Sequence, residues 1–190
     1  MAAVLPTKGN LMAAKRSRAL AQTGYELMDR KRNILVREMM ELMDGASALQ
    51  SEIDQVFSEA YAALRQAHIE LGLCDHIAEG VVPDDSLDIR WRSVMGVELP
   101  HIPEHGQQPR PEYSMMYTSP ALDEAYMKFR RVKDMTRRMA EIETSIYRLA
   151  QAIKKSQKRA NALKNIVIPD FDNTIRVISE ALEEKEREEF

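Results

Sequence analysis

The placement of proline constrains the fold of this chain more than any other feature of its 190 residues. Two long stretches, from about Thr7 to about Leu71 and from Ser119 to Phe190, are interrupted internally only by Pro169. Six of the eight prolines fall at or between the inner ends of these stretches. A helix over either stretch would be about 100 Å long at a rise of roughly 1.5 Å per residue. The prolines therefore predict two long helices joined by a short irregular segment, a shape that suits transmission or bridging.

The apolar residues of both stretches recur at steps of three and four, which is the spacing of a coiled-coil seam. Each seam needs a partner and the connection is short, so antiparallel packing of the two helices within one chain is the simplest solution. In that arrangement, cysteines introduced near Leu35 and Leu163 are expected to crosslink within one chain. The seam residues expected on the inner face are Leu35, Met39, Leu42, Leu49, Ile53, Val56, Met139, Ile142, Ile146, Leu149, Ile153, Leu163 and Val167.

We therefore predict a mainly α fold, a long antiparallel two-helix coiled coil with a small central β-hairpin and loop region at the bend. Residues 1–71 form the first helix, residues 72–118 the hairpin and loop, and residues 119–190 the second helix. Alternating side chains on either side of Gly96 predict two short strands, and the hairpin is expected to cover the end of the helical pair. Around Pro169 the apolar step becomes four and four, which predicts a bent or unwound section inside a continuing helix.

The composition narrows the classes of function. A net charge of −3 argues against a protein that coats nucleic acid. The single cysteine, Cys74, cannot form an internal disulfide, so we expect a cytoplasmic, reducing compartment. The apolar runs are far shorter than the 18 or so residues of a membrane span, and no secretory signal is visible.

The sequence predicts no catalytic residue, no cofactor site and no metal site. The glycines are scattered, so no glycine-rich phosphate loop is present. His101 and His105 are four residues apart, but the neighbouring prolines forbid the helix that would bring them together. Cys74 and His76 lack a second pair of ligands. Isolated pairs of this kind are more often plain surface residues.

Basic residues are concentrated near the start of the first stretch. Most of them lie off the seam, so they are expected to face outward. The ordinary interpretation is that they keep the helix soluble. The functional interpretation is a cationic sleeve that meets an acidic collar, with nucleic acid disfavoured because no exposed aromatic residues are interleaved. The residues of this sleeve are Arg16, Arg18, Arg30, Lys31 and Arg37.

The amino-acid sequences of three regions resemble that of the D subunit of the V/A-type ATPases. The first region is residues 6–40, PTKGNLMAAKRSRALAQTGYELMDRKRNILVREMM, and the second is residues 94–100, VMGVELP. The third region lies in the second long stretch, residues 119–190. The matching motifs of this third region are Asn161-Ala162-Leu163, Ile168-Pro169, Thr174-Ile175, Leu182-Glu183-Glu184 and Glu186-Arg187-Glu188. Together the three regions cover both long stretches and part of the centre.

The resemblance implies the central-stalk rotor shaft of a V-type ATPase or ATP synthase. In that family the shaft transmits torque between the catalytic A/B ring and the membrane ring that transports hydrogen ions or Na⁺. ATP binding and hydrolysis belong to the A and B subunits, so this chain is expected to be non-catalytic. The F subunit and the socket subunit above the membrane ring are the other implied partners. The chain is then peripheral to the membrane through the complex only.

The same resemblance assigns expected contacts to the two ends of the shaft. The end that carries both termini enters the A/B ring, so the five basic residues of the sleeve are expected to contact that ring. The middle segment is expected to be the membrane-side foot, with Trp91, Met95, Gly96 and Val97 at its contact surface. Members of the family usually continue with a basic tail where this sequence stops at Phe190, so a shortened upper bearing or a trimmed chain is expected.

Two other classes of function compete with the shaft. One is a non-rotary cytosolic coiled-coil adaptor or tether, which predicts self-association through its seam. The other is a helical-bundle enzyme with a buried metal or cofactor, which requires inward-facing acidic or histidine clusters that the seam almost entirely lacks. The shaft instead predicts a monomer or a one-to-one pair with a small partner.

Overall fold

A computed structural model describes residues 5–74, 77, 79, 87–103, 113, 116 and 118–189 of the chain. The described part is mainly α with one small two-stranded antiparallel sheet, which confirms the predicted fold class. The three-segment division of the chain stays a prediction, and His76 and His105 lie outside the described residues. The elements are α1 (Lys8–Leu71), β1 (Arg90–Val94), β2 (Val97–His101), α2 (Pro120–Ala162), a π-helical turn (Leu163–Val167) and α3 (Ile168–Glu189).

Local chemistry accounts for the ends of the long helices. The Thr7 hydroxyl accepts a hydrogen bond from the Asn10 backbone N–H at 3.2 Å, so Thr7 caps the start of α1. Gly72 has φ 78° and follows the last residue of α1, where the left-handed conformation favours glycine. Ser119 precedes Pro120 and accepts a hydrogen bond from the Leu122 N–H at 3.4 Å. Proline fits the first helical position of α2 because its missing N–H would be unpaired there in any case.

The chain forms two compact units. The first unit comprises residues 1–37 and 150–190, and the second comprises residues 38–149. Polar side chains join the helices of the first unit in an antiparallel order, because partners of later α1 residues come earlier in the other helix. These contacts are Lys8–Glu186 at 2.9 Å, Arg18–Asp172 at 3.0 Å and Arg32–Gln157 at 2.7 Å.

The residues of the predicted seam are all buried or half-buried. Leu35 and Leu149 are fully buried. Ile53 and Val56 are also buried. The remaining nine, from Met39 to Val167, are half-buried.

Leu35 and Leu163, which the sequence suggested lie close together, are out of register in the first unit. A Cβ atom placed on Gly24 would lie 3.7 Å from Leu163 Cδ1, so these two residues face each other. Leu35 lies about 16 Å farther along α1 at the usual helical rise. The expected crosslink between positions 35 and 163 is therefore wrong, because a heptad seam offers similar apolar residues at every repeat.

The helical path continues through Pro169 by widening one turn. The Ile168 backbone N–H donates to the Leu163 carbonyl, five residues back, and the turn between them is π-helical. Proline has no N–H and its ring crowds the carbonyl four residues earlier, which a wider turn relieves. After the wider turn, Ile168 is buried while Val167, one residue earlier, is half-buried.

The second unit has two clusters of buried apolar residues. One joins Ile53, Val56 and Ala60 of α1 to Val132 and Met135 of α2. The other lies at the connector, the region where α1 ends at Leu71 and α2 begins at Pro120. Its buried members are Ala67, Cys74, Tyr113 and Leu122. Each fully buried large aliphatic side chain stabilises a fold by about 1.5–3 kcal/mol relative to exposure, so these clusters are the main stabilising feature of the unit.

Candidate functional site

The β-hairpin of the second unit contacts α2 through Trp91, the only tryptophan of the chain. The Arg148 guanidinium lies 4.6 Å from the centre of the Trp91 ring, within the range of a cation–π contact. The same guanidinium donates a hydrogen bond to the Glu98 carbonyl at 3.1 Å. One arginine of α2 thus holds a ring from β1 and a backbone carbonyl from β2.

Two carboxylates fasten the hairpin at other points. Arg92 of β1 forms a 2.7 Å ion pair with Glu38 of α1. Glu141 of α2 accepts a hydrogen bond from the Ile102 backbone N–H at 2.8 Å and lies 3.1 Å from His101 Nδ1. The hairpin is therefore attached to both α1 and α2.

The hairpin does not cover the end of the helices, so its predicted position at the bend is wrong. Glu38 lies about 50 Å from Leu71 along α1 at a rise of roughly 1.5 Å per residue. The physical reason is burial, since Leu99 and Pro100 of β2 are both buried. Burial of these residues and the three polar attachments hold the hairpin alongside α1 and α2, away from the connector.

The four residues of the predicted foot lie in and next to the hairpin turn. Trp91 and Met95 are exposed, at 54% and 44%, and Gly96 is exposed as well. Val97 is half-buried. Met95 has φ 50° and Gly96 has φ 75°, the two positive values of a type I′ turn. A methionine in the left-handed region is uncommon and costs conformational energy, which marks the turn as a candidate contact point.

A small apolar cavity of about 180 Å³ lies near the connector. The Tyr113 hydroxyl donates a hydrogen bond to Asp123 there. Burial of the ring, followed by the hydrogen bond and the negative charge of Asp123, raises the pKa of Tyr113. The cavity wall offers no cluster of reactive groups, so its chemistry is packing. It is lined by Leu64, Cys74, Ile77, Tyr113, Leu122, Ala125, Tyr126 and Phe129.

The five basic residues of the predicted sleeve are not equivalent. Arg16, Arg30 and Arg37 are exposed and make no ion pair with any residue that the structure describes. Arg18 is half-buried and held by Asp172. Lys31 is half-buried. Among the five residues of the sleeve, the outward-facing charge therefore rests mainly on Arg16, Arg30 and Arg37.

Three apolar residues that sequence reasoning missed lie among these arginines. Leu20, Leu27 and Ile34 are 74%, 55% and 45% exposed and recur every seven residues. Each immediately precedes a less exposed residue, namely Ala21, Met28 or Leu35. The sequence did contain a signal for these residues, because their seven-residue spacing forms a second apolar column next to the seam. The exposed face of α1 thus carries an apolar column among its arginines.

Within the described residues, no group of three or more His, Cys, Asp or Glu side chains is arranged to hold a metal ion. In the same part of the chain, the hydropathy of each helix falls below what a membrane span needs.

The comparison with known families decides which group of proteins this chain belongs to. A family model described as the D subunit of ATP synthase matches residues 10–190. The chain belongs to the ATP synthase D-subunit family. The resemblance seen in the sequence is thereby confirmed, and the family is that of a V/A-type rotary ATPase subunit.

Individual relatives agree with the family over almost the whole chain. The V-type ATP synthase D subunit of Thermotoga neapolitana is 42% identical over 188 residues, which are 98% of this chain and 93% of the relative. The A-type ATP synthase D subunit of Pyrococcus furiosus is 38% identical over 192 residues, covering 98% of this chain and 90% of the relative. Similarity therefore extends through both long helices and the hairpin.

Proposed function

We propose that this chain is the central-stalk rotor shaft of a V/A-type rotary ATPase, a non-catalytic subunit that transmits torque. In this proposal it turns inside the catalytic A/B ring, binds the F subunit, and engages the socket subunit of the membrane ring on the cytoplasmic side. The observation that carries the proposal is the family match over residues 10–190. The antiparallel contacts between helices within each unit also support the proposal, because a shaft needs helices that do not slide past each other.

A shaft must resist sliding of one helix along the other. Lys8–Glu186 and Arg18–Asp172 join the helices of the first unit at separate points, and Gly24 packs against Leu163 farther along the same pair. Each exposed ion pair contributes little by itself, typically about 0.2–1 kcal/mol. Buried side chains such as Leu35 and Ile178 resist sliding more strongly, because a shift would remove them from contact.

The basic face of α1 is proposed as the surface that meets the A/B ring. Arg16, Arg30 and Arg37 extend into solvent, where attraction to acidic groups is screened over about 8 Å at physiological salt. Such contacts are weak and exchange easily, as rotation requires. Arg18 and Lys31 remain part of the proposed surface, but Arg18 also stabilises the helical pair through Asp172.

The hairpin is proposed as a lateral arm of the shaft in place of the membrane-side foot. Its attachments to Glu38 and Arg148 lie far from the connector along both helices. Trp91, Met95 and Val97 then contact a neighbouring subunit at the side of the shaft. The connector end, near Leu71 and Pro120, is the better candidate for docking to the socket subunit.

Single-molecule rotation tests the proposal directly. The A/B ring is immobilised, and a bead is coupled to the variant Met116→Cys, because Met116 is 79% exposed. We expect continuous unidirectional rotation driven by ATP. A bead coupled to the A/B ring itself is the control and should not rotate. ATP hydrolysis without any rotation of a bead on this chain would contradict the proposal.

A non-rotary adaptor is the second candidate, and the exposed column of Leu20, Leu27 and Ile34 favours it. Heptad-spaced exposed residues can bind another helix, including one from a second copy. Light scattering of the purified chain separates the two candidates. A stable dimer that dissociates in the variant Leu27→Glu favours the adaptor, whereas a monomer that binds the A/B ring favours the shaft.

A further inference from the structure

The two strands of the hairpin differ in what lies along their outer edges. β2 contains the buried residues Leu99 and Pro100, whereas every residue of β1 except Val94 is exposed. The Glu98 carbonyl of β2 is bonded to Arg148 of α2. β2 is therefore the more buried strand and β1 the more exposed one, although the Arg92 side chain of β1 also reaches Glu38 of α1.

The register identifies which backbone groups of β1 point away from β2. Val94 pairs with Val97 across the two-residue turn, so this pair closes the ladder with hydrogen bonds. Hydrogen-bonded and non-hydrogen-bonded pairs alternate along an antiparallel ladder. Trp91 and Ser93 thus belong to non-hydrogen-bonded pairs, and their N–H and C=O groups face outward.

Two observations support this assignment independently. Pro100, the partner of Trp91, has no N–H to donate and fits a non-hydrogen-bonded pair. Glu98, the partner of Ser93, directs its carbonyl away from β1 and onto Arg148. Among the described residues, no hydrogen bond engages the outward backbone groups of Trp91 or Ser93.

We propose that the edge of β1 is a docking site for an extended segment of another polypeptide of the complex, which adds a third strand beside Trp91 and Ser93. Addition of a strand to a free sheet edge is a general mode of peptide recognition, and two-stranded sheets are marginally stable alone. The inference requires only that the chain belongs to a multisubunit complex, and it does not depend on rotation.

Charge identifies the chemistry of the added strand. The Arg90 and Arg92 side chains are 69% and 48% exposed, and each already has one carboxylate partner, Asp88 or Glu38. Opposite charges across neighbouring strands stabilise pairing. The segment that docks therefore carries an Asp or Glu opposite Arg92.

A second copy of this chain does not fit the same edge. In the antiparallel register that pairs both free positions, Trp91 faces Ser93 of the other copy and Arg92 faces Arg92. Like charges directly opposite each other destabilise a sheet. The arginines thus act against self-pairing while leaving the edge open to an acidic strand.

Residue-level hydrogen exchange of the full chain, alone and in the assembled ATPase complex, tests the proposal. The outward amides of Trp91 and Ser93 should exchange freely in the isolated chain and at least about tenfold more slowly in the complex. The inward amides of Arg92 and Val94 should be protected in both. Outward amides that stay unprotected in the complex, or that are already protected in the isolated chain, would overturn the proposal.

A pair of variants at Ser93 provides the second test. Ser93→Pro removes the outward N–H without removing a hydrogen bond between β1 and β2, and it should weaken assembly about tenfold. Ser93→Ala keeps the N–H and is the matched control, for which assembly should be unchanged. Equal assembly of the two variants would overturn the proposal.

The fluorescence of Trp91, the only tryptophan of the chain, reports whether the hairpin stays seated on Arg148 in each variant. If Ser93→Pro detaches the hairpin from Arg148, the hydrogen exchange of Trp91 and Ser93 in the unmodified complex decides whether the proposal holds.

Discussion

The two compact units of this chain contain similar pairs of helices, but different interactions join those helices. In the second unit, apolar side chains such as Ile53 and Val132 form contiguous buried clusters. In the first unit, the buried residues of the described chain are mostly small or isolated, such as Ala14, Ala21 and Ala160, and polar contacts cross between the helices. The first unit therefore combines small buried residues, single large ones such as Leu35 and polar contacts, whereas the second has contiguous apolar clusters.

Aromatic residues sharpen this contrast. Tyr61 stacks on Phe57 at 6.2 Å and meets the edge of Phe129 at 5.4 Å, all within the second unit. The aromatic contact described in the first unit is that of Tyr25 with the Lys164 ammonium, at 5.8 Å. Aromatic pairs add about 0.5–1.5 kcal/mol beyond their burial, so resistance to local unfolding should be greater in the second unit.

The largest expected effect comes from removing apolar volume in the second unit. Ile53→Ala should lower the free energy of unfolding of that unit by about 2–4 kcal/mol, because it leaves a cavity in a buried cluster. Hydrogen exchange of α1 amides around position 53 measures this change in the free energy of unfolding. Ile69→Ala changes the same residue type in the same helix, but Ile69 is 78% exposed, so its effect should stay below about 0.5 kcal/mol. Equal effects would remove the distinction between clustered and exposed residues.

The next largest effect concerns the hydrogen bond between Tyr113 and Asp123 in the second unit. Tyr113→Phe should lower stability at pH 7 by about 1–2 kcal/mol, because the half-buried carboxylate loses its donor. The pKa of Tyr113 is raised in the folded chain, so the neutral hydroxyl is the stabilising form. Its contribution is complete below the unfolded value near pH 10 and is lost as pH rises above that value.

Urea unfolding between pH 7 and pH 11 measures this dependence. The alkaline loss of stability should be smaller in Tyr113→Phe than in the unmodified chain. Tyr147→Phe alters an exposed tyrosine of the same unit and is the control. An unchanged alkaline loss in Tyr113→Phe would show that the hydrogen bond does not contribute.

Glycines inside α1 allow one residue type to be compared in the two units. Gly24 belongs to the first unit and Gly45 to the second, and alanine at either position should stabilise the helix by about 1 kcal/mol. A Cβ atom at position 24 meets Leu163 at an ordinary contact distance of 3.7 Å, whereas none of the described atoms lies within 4 Å of one at position 45. Thermal unfolding measures both variants. Destabilisation by Gly24→Ala would show that the helices of the first unit approach too closely for a methyl group.

The smallest effect concerns exposed ion pairs, one from each unit. Double-mutant cycles on Arg18–Asp172 and on Arg131–Glu52 should both give coupling energies of about 0.5 kcal/mol, since all four side chains are substantially exposed. Both couplings should disappear in 1 M salt, where charges are screened within about 3 Å. A clearly larger coupling in the first unit would show that ion pairs, and not only close packing, hold that unit together.

The sequence predicted the helices well because their signals are local. Caps at Thr7 and Ser119, glycine at position 72 and the steps of three and four lie within a few residues of the structure that they specify. The two strands were also predictable, since alternation on either side of Gly96 needs no distant partner. The unwound section near Pro169 followed from proline chemistry, although only the structure identified it as a π-helical turn.

The candidate surfaces were predictable only in part. The basic residues near the start of α1 were visible in the sequence, but the pairing of Arg18 with Asp172 depends on the other helix. The exposed column of Leu20, Leu27 and Ile34 was visible as a heptad pattern, yet which of two neighbouring columns faces inward is decided by packing. The assignment of the ring contact stays a proposal, and so does the lateral arm that takes the place of the membrane-side foot.

The sequence by itself determined the type and length of the helices, the existence of the hairpin and the family. Only the tertiary structure decided the register between helices and the place of the hairpin beside Glu38 and Arg148. The physical reason is that a heptad seam is periodic, so sliding one helix by seven residues buries nearly equivalent side chains. The correct alignment depends on contacts between residues far apart in the chain, such as Gly24 with Leu163, which no local pattern encodes.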